Sequence, residues 1–174
     1  MMIHVLNKIR TPNRKVQFSK ALFHTVIMAG TGILLGVVSK LFDIYTTNIG
    51  DIFSQMSVWI FLCTLISVLS STPFRAAVNV FSFCAGMLLA YYLTAELTSS
   101  VYSTLFIYGW ALFALLCPAL SFCTWYAKGK GWLSKSIVAG IILVMLAAAM
   151  VLFDKIRVAD IVLAVLTSIV LLKK

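Results

Sequence analysis

Residues able to do chemistry are few in this chain of 174. Residues 40–51 (KLFDIYTTNIGD) gather two carboxylates, an amide, two threonine hydroxyls and a tyrosine ring. Of these, Tyr45, Asn48 and Asp51 have the donors and acceptors to hold a small polar solute. Tyr92 and Glu96 lie four residues apart, so they share one face of a helix. Carboxylates near a membrane span mark substrate or proton pathways. Tyr45, Asn48, Asp51, Tyr92 and Glu96 are therefore the expected ligand-binding residues. The plainer alternatives are a solvated connector or interfacial helix for residues 40–51, and a Glu96 that merely sits in water.

Other chemistry is poorly supplied. Cys63, Cys84, Cys117 and Cys123 each fall inside an apolar run, and none forms a CxxC pair. They read as small buried hydrophobes. The two histidines, His4 and His24, are close to the N-terminus and far from the cysteines. No metal site or cofactor is expected. HExxH, GxSxG and Walker patterns are absent from the sequence, so no enzymatic activity is expected. Asn79 is the one amide in its apolar span, 74–95, and should make an interhelical hydrogen bond. Pro118 removes an N–H in mid-span, and Ser121 or Cys117 is placed to re-satisfy the freed carbonyl. Asp154, Lys155, Arg157 and Asp160 crowd one turn and should pair among themselves.

The elements that must position these groups follow from composition. The chain is 62% hydrophobic and only 11% charged, against about 25% charged in soluble domains. Mean hydropathy is +1.06. This excludes a soluble globular domain, a disordered tail and a DNA-binding module, so no nucleic-acid partner is expected. A helix needs roughly 20 apolar residues to cross the hydrocarbon core. Apolar runs at about 21–38, 52–69, 74–95, 102–126, 133–153 and 158–172 meet or approach that length. Thr72 and Pro73 form a start signal for the third, as a capping hydroxyl followed by a proline in the first helical position. Residues 1–20 read as a solvated basic tail, and 21–174 as one membrane domain. The expected fold is an all-α polytopic bundle of six transmembrane helices.

The net charge of +9 is a statement about threading. With six spans, one side collects eleven basic residues and no acid. The other collects Lys40, Lys155 and Arg157 with all five acids. The positive-inside rule then places both termini in the cytoplasm. Trp125, Tyr126 and Trp132 are expected as anchors at the cytoplasmic interface, with Tyr45, Tyr91, Tyr92 and Tyr102 near the outer one.

Ala21, Thr25, Ala29, Gly32 and Gly36 put small residues along one stripe of the first span. Such a face lets another helix approach closely, either from the same chain or from a partner subunit.

Three stretches carry a resemblance: residues 32–43 (GILLGVVSKLFD), 79–96 (NVFSFCAGMLLAYYLTAE) and 125–132 (WYAKGKGW). They resemble a family of small, uncharacterised bacterial membrane proteins, which implies a multi-pass protein of the bacterial inner membrane and no particular activity. The architecture is also similar to the S components of energy-coupling factor transporters. That likeness implies that the stripe docks a coupling subunit and that residues 43–51 cap a solute site. The expected function is transport or solute binding, with capture of a small solute at the outer face. The alternative is a non-catalytic structural or regulatory subunit of a membrane complex.

Overall fold

The computed structural model describes residues 9–13, 17–46, 50, 52–53, 55–102 and 104–173, with Phe106 as backbone only. All regular structure among them is helical. Six helices follow in order: α1 (Phe18–Tyr45), α2 (Met56–Leu69), α3 (Pro73–Leu97), α4 (Thr104–Trp125), α5 (Trp132–Phe153) and α6 (Val158–Leu172). A single 3-10 turn, Tyr126–Lys128, follows α4. Local chemistry sets several ends. The Thr72 hydroxyl accepts from the Arg75 N–H at 3.2 Å, with Pro73 at the first helical position. Asp154 takes the left-handed conformation just past α5, at φ 54°. Pro118 does not interrupt α4, and the Ser121 hydroxyl donates to the Pro118 carbonyl at 3.1 Å.

Four segments are long and apolar enough to cross a membrane: α1, α3, α5, and α4 running on through the 3-10 turn. Large apolar side chains are exposed on their outer surfaces, among them Leu34, Leu89, Leu115, Leu143 and Val151. In water such a surface would aggregate; in lipid it is ordinary. The chain is a helical, multi-pass membrane protein. Helices α2 and α6, of 14 and 15 residues, reach only about 21 and 22 Å at 1.5 Å per residue. The hydrocarbon core is about 30 Å thick. The expected spans at 52–69 and 158–172 are thus the two shorter apolar helices of the bundle.

Side-chain pairings fix the directions. Thr25 meets Asn79 and Lys40 meets Tyr91, so α1 and α3 run parallel. Ser70 meets Asn79, and Cys63 meets Cys84, so α2 runs against α3. Trp59 stacks edge-on with Trp110, and the Cys63 and Cys117 sulfurs lie within 4.8 Å of each other, so α2 and α4 run parallel. Ser57 bonds Asp160, while Val68 and Leu171 share a cluster, so α6 runs with α2. The first and last described residues, Ile9 and Lys173, therefore lie at one end of the bundle, called here the terminal end; the other is the far end.

The small-residue stripe of α1 is buried against α3. A Cβ on Gly32 would strike the Phe83 carbonyl oxygen, and one on Gly36 the Met87 carbonyl oxygen. Gly86 answers from α3, where an added Cβ would lie 2.7 Å from the Ala29 carbonyl oxygen. Ala21 is buried, and the Thr25 hydroxyl donates to Asn79 Oδ1 at 2.8 Å. Of the two occupants open to this stripe, a helix of the same chain or one from a partner subunit, the structure shows the chain's own third helix.

Two further expectations change at the terminal end. Residues 9–13 are not a solvated tail. Ile9 is buried, its carbonyl accepts from the Lys130 N–H at 2.8 Å, and the Asn13 N–H donates to Ser71. The Arg10 guanidinium stacks 4.0 Å over the Trp125 ring and donates to the carbonyls of Trp125 (2.7 Å) and Val68 (2.9 Å). It therefore caps the C-terminal ends of α2 and α4, where the helix dipoles favour a cation. Burial lowers its pKa from the usual arginine value. Trp125 and Tyr126 are buried beneath this contact rather than spread along an interface; Trp132 alone of the three is exposed.

Candidate functional site

The far end holds the polar residues that α1 and α3 bring together. Helix α1 does not stop near Val38. It continues to Tyr45, so the segment expected as a loop from Lys40 is helical for its first half. The charges fit inside the helix because they are paired. Lys40 is 2% exposed, and its ammonium donates to Asp43 Oδ2 at 3.1 Å, one turn on. It also lies 5.1 Å from the centre of the Tyr91 ring. A buried ammonium is costly unless an anion and a ring face replace its water; Asp43 and Tyr91 supply them.

Tyr91 binds the same carboxylate, its hydroxyl donating to Asp43 Oδ2 at 3.0 Å. From there the rings continue edge-on. Tyr91 and Tyr92 are 5.3 Å apart between centroids, and Tyr92 and Tyr102 are 5.7 Å apart. The Tyr102 hydroxyl donates to Glu96 Oε1. That bond raises the Tyr102 pKa above the ordinary tyrosine value, because ionisation would set two anions against each other. The result is a ladder of three rings with a carboxylate at each end. At one end Asp43 is neutralised by Lys40. At the other Glu96 is exposed, and among the described residues no cation lies within ion-pair distance of it.

The expected ligand-binding residues divide accordingly. Tyr92 and Glu96 are in the ladder, joined through Tyr102. Tyr45 is 76% exposed at the end of α1, standing apart from the hydrogen bonds and ring contacts that make up the ladder. Asn48 and Asp51 lie outside the described residues. Lys40, Asp43, Tyr91 and Tyr102 are the participants that the sequence reading passed over. Spacing held a signal for one pair: Lys40 and Asp43 are three apart, the separation of a helical ion pair. Tyr91 is offset from the Tyr92–Glu96 face, and that offset turns it toward Asp43 of α1.

A second polar centre lies at the same end, between α2 and α6. Asp160 is 1% exposed. Its carboxyl group accepts from the Ser57 hydroxyl and from the backbone N–H of Arg157 at 2.9 Å. In the amide orientation that satisfies both neighbours, Gln55 donates to Asp160 Oδ1 at 2.9 Å and accepts from Arg157 Nη1 at 2.9 Å. The expected pairing within the α5–α6 turn is thus only half the arrangement. Asp160 also ties α6 to α2.

Comparison with protein-family models, curated proteins and solved structures finds no match for this chain. Its chemistry has to be read from the geometry alone.

Proposed function

We propose that the chain is a solute-binding component of membrane transport that captures a small organic cation at its far end. The observation that carries this reading is the Tyr91–Tyr92–Tyr102 ladder ending on Glu96. Ring faces and an unneutralised carboxylate are the two features that recognise an alkylammonium group. Lys40 matters in a different way: by neutralising Asp43, it leaves Glu96 as the anion of the ladder that is free to meet a cation.

The same proposal orients the protein. All six helices cross, the short α2 and α6 being accommodated by local thinning of the bilayer or by snorkelling of Lys173. The excess of basic residues at the terminal end supports a cytoplasmic location for both termini, which puts the ladder outside. A bacterial inner membrane is part of the same proposal and rests on the resemblance read from the sequence.

The test is binding of primary and quaternary alkylammonium ions to the detergent-purified protein, followed by tryptophan fluorescence or thermal shift. Saturable binding is expected, weakened tenfold or more, about 1.4 kcal/mol, by Glu96→Gln and by Tyr92→Ala. Binding unaffected by both substitutions, or no binding of any alkylammonium ion, would overturn the reading.

A further inference from the structure

Cys63, Cys84 and Cys117 come from three different helices, α2, α3 and α4, yet their sulfurs meet. Cys63 and Cys84 are 3.6 Å apart, Cys84 and Cys117 3.8 Å, and all three Sγ atoms lie within 4.8 Å of one another. All are free thiols. They are buried in the main core of the bundle, among Trp59, Phe83, Met87 and Ala114.

This geometry suits a metal ion. Thiolate sulfurs bind at about 2.3 Å, and three of them in a plane around one ion stand about 4 Å from each other. The observed spacings are close to that. A route also exists. A cavity of about 240 Å³ between α2, α4 and α5 touches Cys63 and Cys117. Its lining is mostly apolar, with Thr64, Ser67, Ser121 and Thr124 among the contributing residues; the Ser67 and Ser121 hydroxyls donate to carbonyls of their own helices.

We propose that Cys63, Cys84 and Cys117 form an intramembrane binding site for one soft, monovalent d10 ion, Cu(I). Three sulfurs with no nitrogen or oxygen ligand select a soft ion. Structural zinc takes four ligands, and among the described residues no histidine or carboxylate joins the three thiols. Each sulfur that binds as a thiolate exchanges one S–H bond for one S–Cu bond and releases its proton, and no electron is transferred.

The site is separate from the ring ladder, so it stands or falls independently of cation capture. The test is titration of the detergent-purified protein with Cu(I) against a chromogenic Cu(I) chelator, under a non-thiol reductant. One ion per chain is expected, with an all-sulfur first shell by X-ray absorption. Each of Cys63→Ser, Cys84→Ser and Cys117→Ser should weaken binding by more than the roughly 10–100-fold that loss of an outer-shell partner costs. The triple variant should bind nothing, and Cys123→Ser should bind normally. Retained binding in the triple variant, preference for Zn(II) over Cu(I), or no binding at all would overturn the site. If the serine variants fail to fold, the wild-type spectrum decides: a first shell dominated by nitrogen or oxygen rejects it.

Discussion

Helices α1 and α3 pack backbone to backbone, whereas α5 and α6 lie on the edge of the bundle with much of their surface open. Both regions are apolar and helical, so hydrophobicity does not separate them. In lipid it cannot drive helices together, because acyl chains are as apolar as leucine. What differs is how closely the backbones approach and where polar groups cross between helices. The α1–α3 seam has glycines at Gly32, Gly36 and Gly86, the Thr25–Asn79 hydrogen bond near one end, and the Lys40–Asp43–Tyr91 contacts near the other. Between α5 and α6 runs an apolar groove of about 920 Å³ lined by Val138, Ile142, Leu146 and Leu172. The pair is tied to the rest at its two ends, and Met145, Ala164 and Thr167 are buried between them. Asp160 bonds Ser57 at the far end, and Val138 and Leu171 pack on Val68 and Ala127 at the terminal end.

The largest effect should come from placing bulk in the seam. Gly32→Leu sets a side chain where the Phe83 carbonyl already lies, and a helix backbone cannot move aside as a flexible side chain would. Overpacking of this kind is expected to cost about 3 kcal/mol or more. The variant should lose its monodisperse gel-filtration peak or its cooperative thermal transition. A Gly32→Leu protein as stable as wild type would mean that α1 and α3 do not pack in this register.

The next effect tests the tie between the two regions. Asp160→Ala leaves the Ser57 hydroxyl, the Gln55 amide and the Arg157 N–H without their common acceptor. Buried donors left unpaired cost about 1–3 kcal/mol, so a loss of about 2 kcal/mol is expected. It should be localised. Hydrogen exchange should rise in α6 and the start of α2 while the seam stays protected. Uniform loss of protection across all six helices would show that α5 and α6 are as integral to the bundle as the seam.

Legibility from sequence followed the same division. The start of α3 was readable because Thr72 and Pro73 act on their immediate neighbours. Asn79 was readable because a lone amide in an apolar span must find a partner, and it found Thr25 and Ser70. The stripe was visible as a packing face, but its partner was not, since small residues admit any close helix. Residues 40–45 read as loop because charge usually means water; only the burial of Lys40 between Asp43 and Tyr91 makes them helix. Trp125 read as an interface anchor because nothing local announces that Arg10, 115 residues earlier, covers it. The thiol trio was the least accessible. Each cysteine looks like a small apolar residue in its own helix, and only the packing of α2, α3 and α4 brings the sulfurs together.

The smallest predicted effect isolates backbone proximity from residue type. Gly140 sits in the interior of α5, as Gly32 does in α1, but a Cβ there meets nothing within 4 Å. The methyl group would project into the open cavity between α2, α4 and α5. Its main consequence is then to restrict the unfolded chain and favour helix, an effect of roughly 0.5–1 kcal/mol relative to glycine. Gly140→Ala should therefore raise the thermal midpoint slightly, whereas Gly32→Ala should lower it, because even one methyl group conflicts with the Phe83 carbonyl. Opposite signs for the same substitution would show that backbone contact sets the difference between the seam and the α5–α6 edge. Equal signs would remove it.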